Sequence, residues 1–153
     1  SQGDPGTAHV FIDVFGWFST SEFPESGSRL IPVGPGRIFD SRLPEFGAEP
    51  IAGGAATPVQ IRGATSLDPR IPGIVPGSST VAGALVNVTA VNQGPDSQPT
   101  FVSVLPTAPA PGVAPETSNL NLRADHIMAN LVLTPIGPDG SIWIYNASGS
   151  THL

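Results

Sequence analysis

Glycine and proline, 18 of each in 153 residues, cut this chain into short apolar runs. Val, Ile and Leu alternate between the breaks and 39% of residues are hydrophobic, so the breaks act as turns in an all-β chain rather than as marks of disorder. No segment carries a convincing helical period. The clearest strand spans residues 80–91, with Ala82, Ala84, Val86, Val88 and Ala90 on one face and Leu85, Asn87 and Thr89 on the other. Further strands are predicted at 8–18, 29–33, 37–40, 58–62, 100–105, 117–123, 127–134 and 141–146. The last of these is entered through the hairpin turn Gly137-Pro138-Asp139-Gly140. Residues 43–57 and 63–79 read as loops, and the Pro/Ala-rich stretch 106–115 as extended chain. About nine strands separated by long loops predict an antiparallel two-sheet β-sandwich, jelly-roll-like in type.

A duplication adds a second constraint. Gly6-Thr7-Ala8-His9-Val10 closely matches Gly149-Ser150-Thr151-His152-Leu153, at an offset of 143 residues. The first copy runs on into Phe11-Ile12-Asp13-Val14-Phe15-Gly16-Trp17-Phe18. In that run Val10, Ile12 and Val14 share one face, while His9, Phe11, Asp13, Phe15 and Trp17 share the other. Both faces are largely apolar, as suits a strand covered on both sides. The expected organisation is an N-terminal donor-type strand (1–18), a polar linker (19–28) and a β-sandwich body (29–153). Val10, Phe11, Ile12, Asp13, Val14, Phe15, Trp17 and Phe18 would form the donor strand and subunit interface. Ten linker residues reach up to ~35 Å when extended, enough for the strand to enter a neighbour or to fold back on its own body.

Chemistry is sparse. Charged residues make up 12% of the chain, the net charge is −6, and all six cations are arginines. No basic patch is available to neutralise phosphates, so no nucleic-acid partner is expected. Without lysine or cysteine, Schiff-base, P-loop, thiol and thiolate-metal chemistry are absent. No apolar run approaches the roughly 20 residues that span a bilayer, so membrane insertion is not expected. The weakly charged surface rich in Thr, Ser, Asn and Gly suits a secreted or cell-surface protein.

The histidines are His9, His126 and His152; two of them occupy equivalent repeat positions and no Gly-x-Ser-x-Gly motif accompanies them. Asp13 and Asp40 are the acids within clear strand predictions. Arg37 and Arg42 flank Asp40, which favours a structural Asp–Arg group over paired catalytic carboxylates. Asp96 and Asp139 stand alone in turns, without the ligand spacing of a calcium loop. No catalytic residue, metal or cofactor is therefore expected. Asn87, Asn119, Asn121, Asn130 and Asn146 recur on predicted strands, either as a polar rack for glycans or as side chains bonding to loops and sheet edges. Asn87-Val88-Thr89 and Asn146-Ala147-Ser148 also fit glycosylation sequons. Phe11, Phe15 and Trp17 suit packing against a neighbouring sheet or subunit better than sugar stacking.

Arg37-Ile38-Phe39-Asp40-Ser41-Arg42, Leu85-Val86-Asn87-Val88-Thr89-Ala90, Ser118-Asn119-Leu120-Asn121, Asn130-Leu131-Val132 and the final Thr-His-Leu follow in order. Together with the displaced Val10–Phe18 strand, this set resembles the "RIFDTR … LNVTA … SNLN … ANLV … THVIVDVxGYF" repeat of large exported bacterial proteins. Ser41 and Trp17 stand where that repeat usually has threonine and tyrosine. The resemblance implies an all-β surface or cell-wall-associated module, with no catalytic residues to carry over. The function expected is a non-enzymatic extracellular structural subunit that assembles head to tail with copies of itself. The alternative is a carbohydrate- or cell-wall-binding module, with cell-wall glycans as partners and Trp17 and Trp143 as contact residues.

Overall fold

The computed structural model describes residues 30–71 and 75–153. The predicted strand 8–18 and the linker 19–28 lie outside the described residues. Eight strands are present: β1 (Ile51–Ala52), β2 (Ala55–Gln60), β3 (Gly83–Asn92), β4 (Thr100–Leu105), β5 (Leu120–Leu122), β6 (His126–Pro135), β7 (Ser141–Asn146) and β8 (Ser150–Thr151). One 3-10 turn, Pro44–Phe46, is the only helical element among the described residues. The fold is an all-β antiparallel sandwich.

One sheet has the order β2-β7-β4-β5. The other layer is built from two ladders, β1–β8 and β3–β6. An antiparallel bridge between Val91 at the end of β3 and His152 just after β8 joins them. Alternation explains which side chains enter the space between the layers. Val59 of β2, Val102 and Val104 of β4, Leu120 and Leu122 of β5, and Ile142 and Ile144 of β7 are buried. Val88 and Ala90 of β3 and Val132 of β6 belong to the same cluster.

The turn before β7 follows from its residues. Gly140 adopts φ +88 and donates its N–H to the Gly137 carbonyl at 2.9 Å, while Asp139 accepts from the Ser141 N–H at 3.1 Å. A Cβ at Gly140 would stand 2.8 Å from the Gln60 side-chain nitrogen, so glycine answers both the left-handed backbone and the close approach. Asp139 thereby acts as a turn residue.

Several boundaries differ from the sequence reading. Residues 30–33 and 37–40 are not strands. The stretch 37–42 is organised by side-chain bonds to Asp40 instead of a backbone ladder, and the adjacent Ile38 and Phe39 both pack against the core. The segment 43–57, read as a loop, contains the 3-10 turn, β1 and the start of β2. The run 117–123 forms strand only at Leu120–Leu122, and 80–91 begins as strand at Gly83. The described strands number eight rather than nine because the first predicted strand falls outside the described residues and the two near residue 35 give way to β1 and β8.

Candidate strand-acceptor site

β3 lies between two neighbours for only part of its length. On one side it pairs with β6 over its full span, from Gly83↔Pro135 to Asn92↔His126. On the other side Val91 exchanges two backbone bonds with His152: Val91 N–H to the His152 carbonyl at 2.8 Å, and His152 N–H to the Val91 carbonyl at 3.1 Å. Backbone polar groups alternate in direction along a strand, so the N–H and C=O of Thr89, Asn87 and Leu85 point to the same side as those of Val91. Among the described residues, no strand pairs with that edge beyond His152.

Burial follows the same gradient. Ala90 is fully buried and Val88 is 6% exposed, but Val86 and Ala84, further from His152 on the same face, are only half-buried. On the opposite face the β3–β6 ribbon carries an exposed apolar row. Leu85 faces Leu133 across the strands, next to Leu131 and Ile127, and the last three are each more than half exposed. Exposed strand edges and apolar rows of this kind are what soluble β proteins cover or pair.

A side-chain clamp fixes the end of the strand that leads into this edge. Ser41 accepts the Leu153 N–H on its hydroxyl at 2.9 Å and donates its own N–H to the Leu153 carbonyl at 2.9 Å. The same hydroxyl lies 3.0 Å from His152 Nδ1. Ser41 directly follows Asp40, which is 4% exposed. Arg42 binds both Asp40 carboxylate oxygens, Nε to Oδ1 at 2.8 Å and a terminal nitrogen to Oδ2 at 2.7 Å; Arg37 adds a bond to Oδ2 at 2.6 Å. The hydrogen bond from Arg42 is the largest influence on the Asp40 carboxyl and, with both guanidinium charges, holds it well below the usual carboxylate range.

A depressed carboxylate contributes stability that is fully present above its unfolded value near 4 and is lost as pH falls below it. Urea denaturation is therefore expected to show stability declining from about pH 4 downwards, and Asp40→Asn to flatten that decline. An unchanged slope in the variant would remove Asp40 from the acid response.

The remaining sequence candidates are dispersed. Asn87 is exposed on β3. Asn146 is 1% exposed, and its amide nitrogen donates to the carbonyls of Ile51, Ser148 and Gly149 at 2.9, 3.1 and 3.3 Å. A glycan on that nitrogen is incompatible with the folded chain, which corrects the sequon reading at Asn146. Asn119 Oδ1 accepts the Val104 N–H at 2.7 Å, Asn130 donates to the Asn119 carbonyl at 2.7 Å, and Asn121 bonds Ser118 at 3.0 Å. These asparagines join strands to loops. Trp143 is half-buried on β7 and Asp96 sits in a turn. Among the described residues, no group of three or more acidic or histidine side chains could hold a metal ion.

Ser41 is the residue that sequence reasoning passed over. Its role depends on partners 111 and 112 positions away, and only its place in the Arg-Ile-Phe-Asp-Ser-Arg run pointed to it. No protein-family model, curated protein or solved structure matches this chain.

Proposed function

We propose that this chain is a non-enzymatic structural module of the cell exterior that joins to copies of itself by strand complementation. The apolar strand 8–18 of one unit completes the sandwich of the next. The observation that carries this reading is the β3 edge between Gly83 and Thr89, which no described strand covers and along which core burial thins. Backbone bonds along such an edge supply affinity, and alternate side chains supply register.

The size of the effect is adequate. Burying Val10, Phe11, Ile12, Val14 and Phe15 at ~1.5–3 kcal/mol each contributes on the order of 8–15 kcal/mol before ordering costs. Donor strand and acceptor edge are different surfaces, so the contact is heterologous and propagates along one direction. The low charge and absence of lysine fit a role in association rather than in phosphate or cofactor chemistry. Mass measurement in solution with electron microscopy is expected to show multimers extended along one axis. A stable monomer with residues 8–18 protected from hydrogen exchange would sink the proposal.

A further inference from the structure

The duplicated motif supplies a register as well as a partner. His152 sits opposite Val91 in an antiparallel bridge, so any residue continuing that strand meets β3 at a fixed position. His9 is the counterpart of His152 at the offset of 143, so residue Phe11 falls opposite Thr89, Asp13 opposite Asn87, Phe15 opposite Leu85 and Trp17 opposite Gly83. We infer that residues 11–18 of a neighbouring copy of this chain pair antiparallel with the Gly83–Thr89 edge of β3 in this register. The inference rests on the strand-complementation reading and deepens it, naming which atoms meet.

Nothing in the motif equivalence required the two sequences to match across the gap, yet they do. Asp13, the single charge of the donor run, meets Asn87, a polar exposed position on β3. Phe15 falls beside Leu85, whose other neighbour is Leu133, so three large apolar side chains align across three strands. Trp17 falls opposite Gly83, where the absent side chain leaves an indole room to lie over the backbone. On the inward face Ile12 comes beside the buried Val88, Val14 beside Val86, where core cover gives out, and Gly16 beside Ala84.

Slips in register destroy this match. A shift of one residue turns Asp13 into the core and Ile12 and Val14 outward. A shift of two sets the Asp13 carboxylate against either Leu85 or Thr89 and removes Trp17 from Gly83. The same placement extends the apolar row of Leu85, Leu131 and Leu133 with Phe15 from the donor.

The chain has no cysteine, so paired cysteines report the register without background. Val91 and His152 exchange both backbone bonds, and positions two residues on share that geometry, which sets Asp13 and Asn87 with Cα atoms about 5.5 Å apart. That lies within the roughly 4.4–6.8 Å that a disulfide tolerates, whereas the diagonal from Asp13 to Leu85 is about 7–8 Å. Under mild oxidation, the double variant Asp13→Cys/Asn87→Cys is expected to give a ladder of covalent multimers on a denaturing gel, abolished by reductant. Phe11→Cys/Thr89→Cys should give the same ladder, and Asp13→Cys/Leu85→Cys none.

Multimers that form in all three variants but cross-link in none, or cross-link best in the Leu85 pair, would overturn the register while leaving assembly standing. Cross-linking confined within single chains would uphold the register and overturn the neighbouring copy as its source. Monomers without cross-links would overturn both.

Discussion

Removal of residues 1–18 is expected to convert multimers of this protein into monomers, read as a collapse of the solution mass to one copy and the loss of particles by electron microscopy. The body keeps its acceptor edge on β3, so the truncated unit should still add once to the open end of a growing multimer and then stop it. Trace amounts mixed with the full chain should therefore shorten the assemblies. If association and ordering absorb two-thirds of the ~8–15 kcal/mol from apolar burial, the remaining ~3–5 kcal/mol corresponds to a loss of roughly 10²–10⁴-fold in affinity. A synthetic peptide of residues 8–18 should bind the truncated unit and raise its melting temperature, which keeps the test meaningful if the bare edge makes that unit aggregate. Multimers that persist without residues 1–18, or a peptide without effect, would dismiss the strand as donor.

Asn146→Asp is expected to be the most damaging isosteric change in the body. The wild-type amide nitrogen faces three carbonyl oxygens, on Ile51, Ser148 and Gly149, while its oxygen accepts from Thr100 Oγ1 at 2.8 Å. Thr100 Oγ1 in turn accepts the Ser148 N–H at 2.9 Å. A carboxylate at this position, which is 1% exposed, replaces a donor to all three carbonyls with an acceptor. The loss should reach about 3 kcal/mol or more, a fall in melting temperature of about 6–12 °C for a domain of this size. Protonation of the new acid restores one donor, so the deficit should shrink as pH falls through its raised value. A drop under about 2 °C at neutral pH would show that this network contributes little at this size of domain.

β4 and β7 were the elements most legible in the sequence, and both match residue for residue. Thr100–Leu105 is rich in β-branched and aromatic residues, and Ser141–Asn146 follows a turn whose Asp and Gly have the required geometry. Local chemistry determines these strands. β2 was harder because Ala55 and Ala56 have little strand preference of their own; they are extended because they pair with Asn146 and Tyr145 of β7. Residues 37–40 misled in the opposite direction. Their apolar and charged residues look like a strand, but the Asp40 carboxylate gathers two guanidinium groups and bends the segment toward Leu153. The proposal of a further strand on the β3 edge rests on the repeated Gly-x-x-His motif, which is visible in the sequence. The Ser41 clamp could not be read there, since its members are brought together only by the finished sandwich.

The Ser41 clamp also bears on how the sandwich resists tension. The segment from Ser150 to Leu153 is bonded on both flanks, to Ile51, Ala52 and Ser41 on one side and to Val91 on the other. A pull along its axis loads these bonds side by side, in shear. They must break together rather than open one after another, as a peeled hairpin would. Force applied along this strand would therefore meet the sandwich in its stiffest direction.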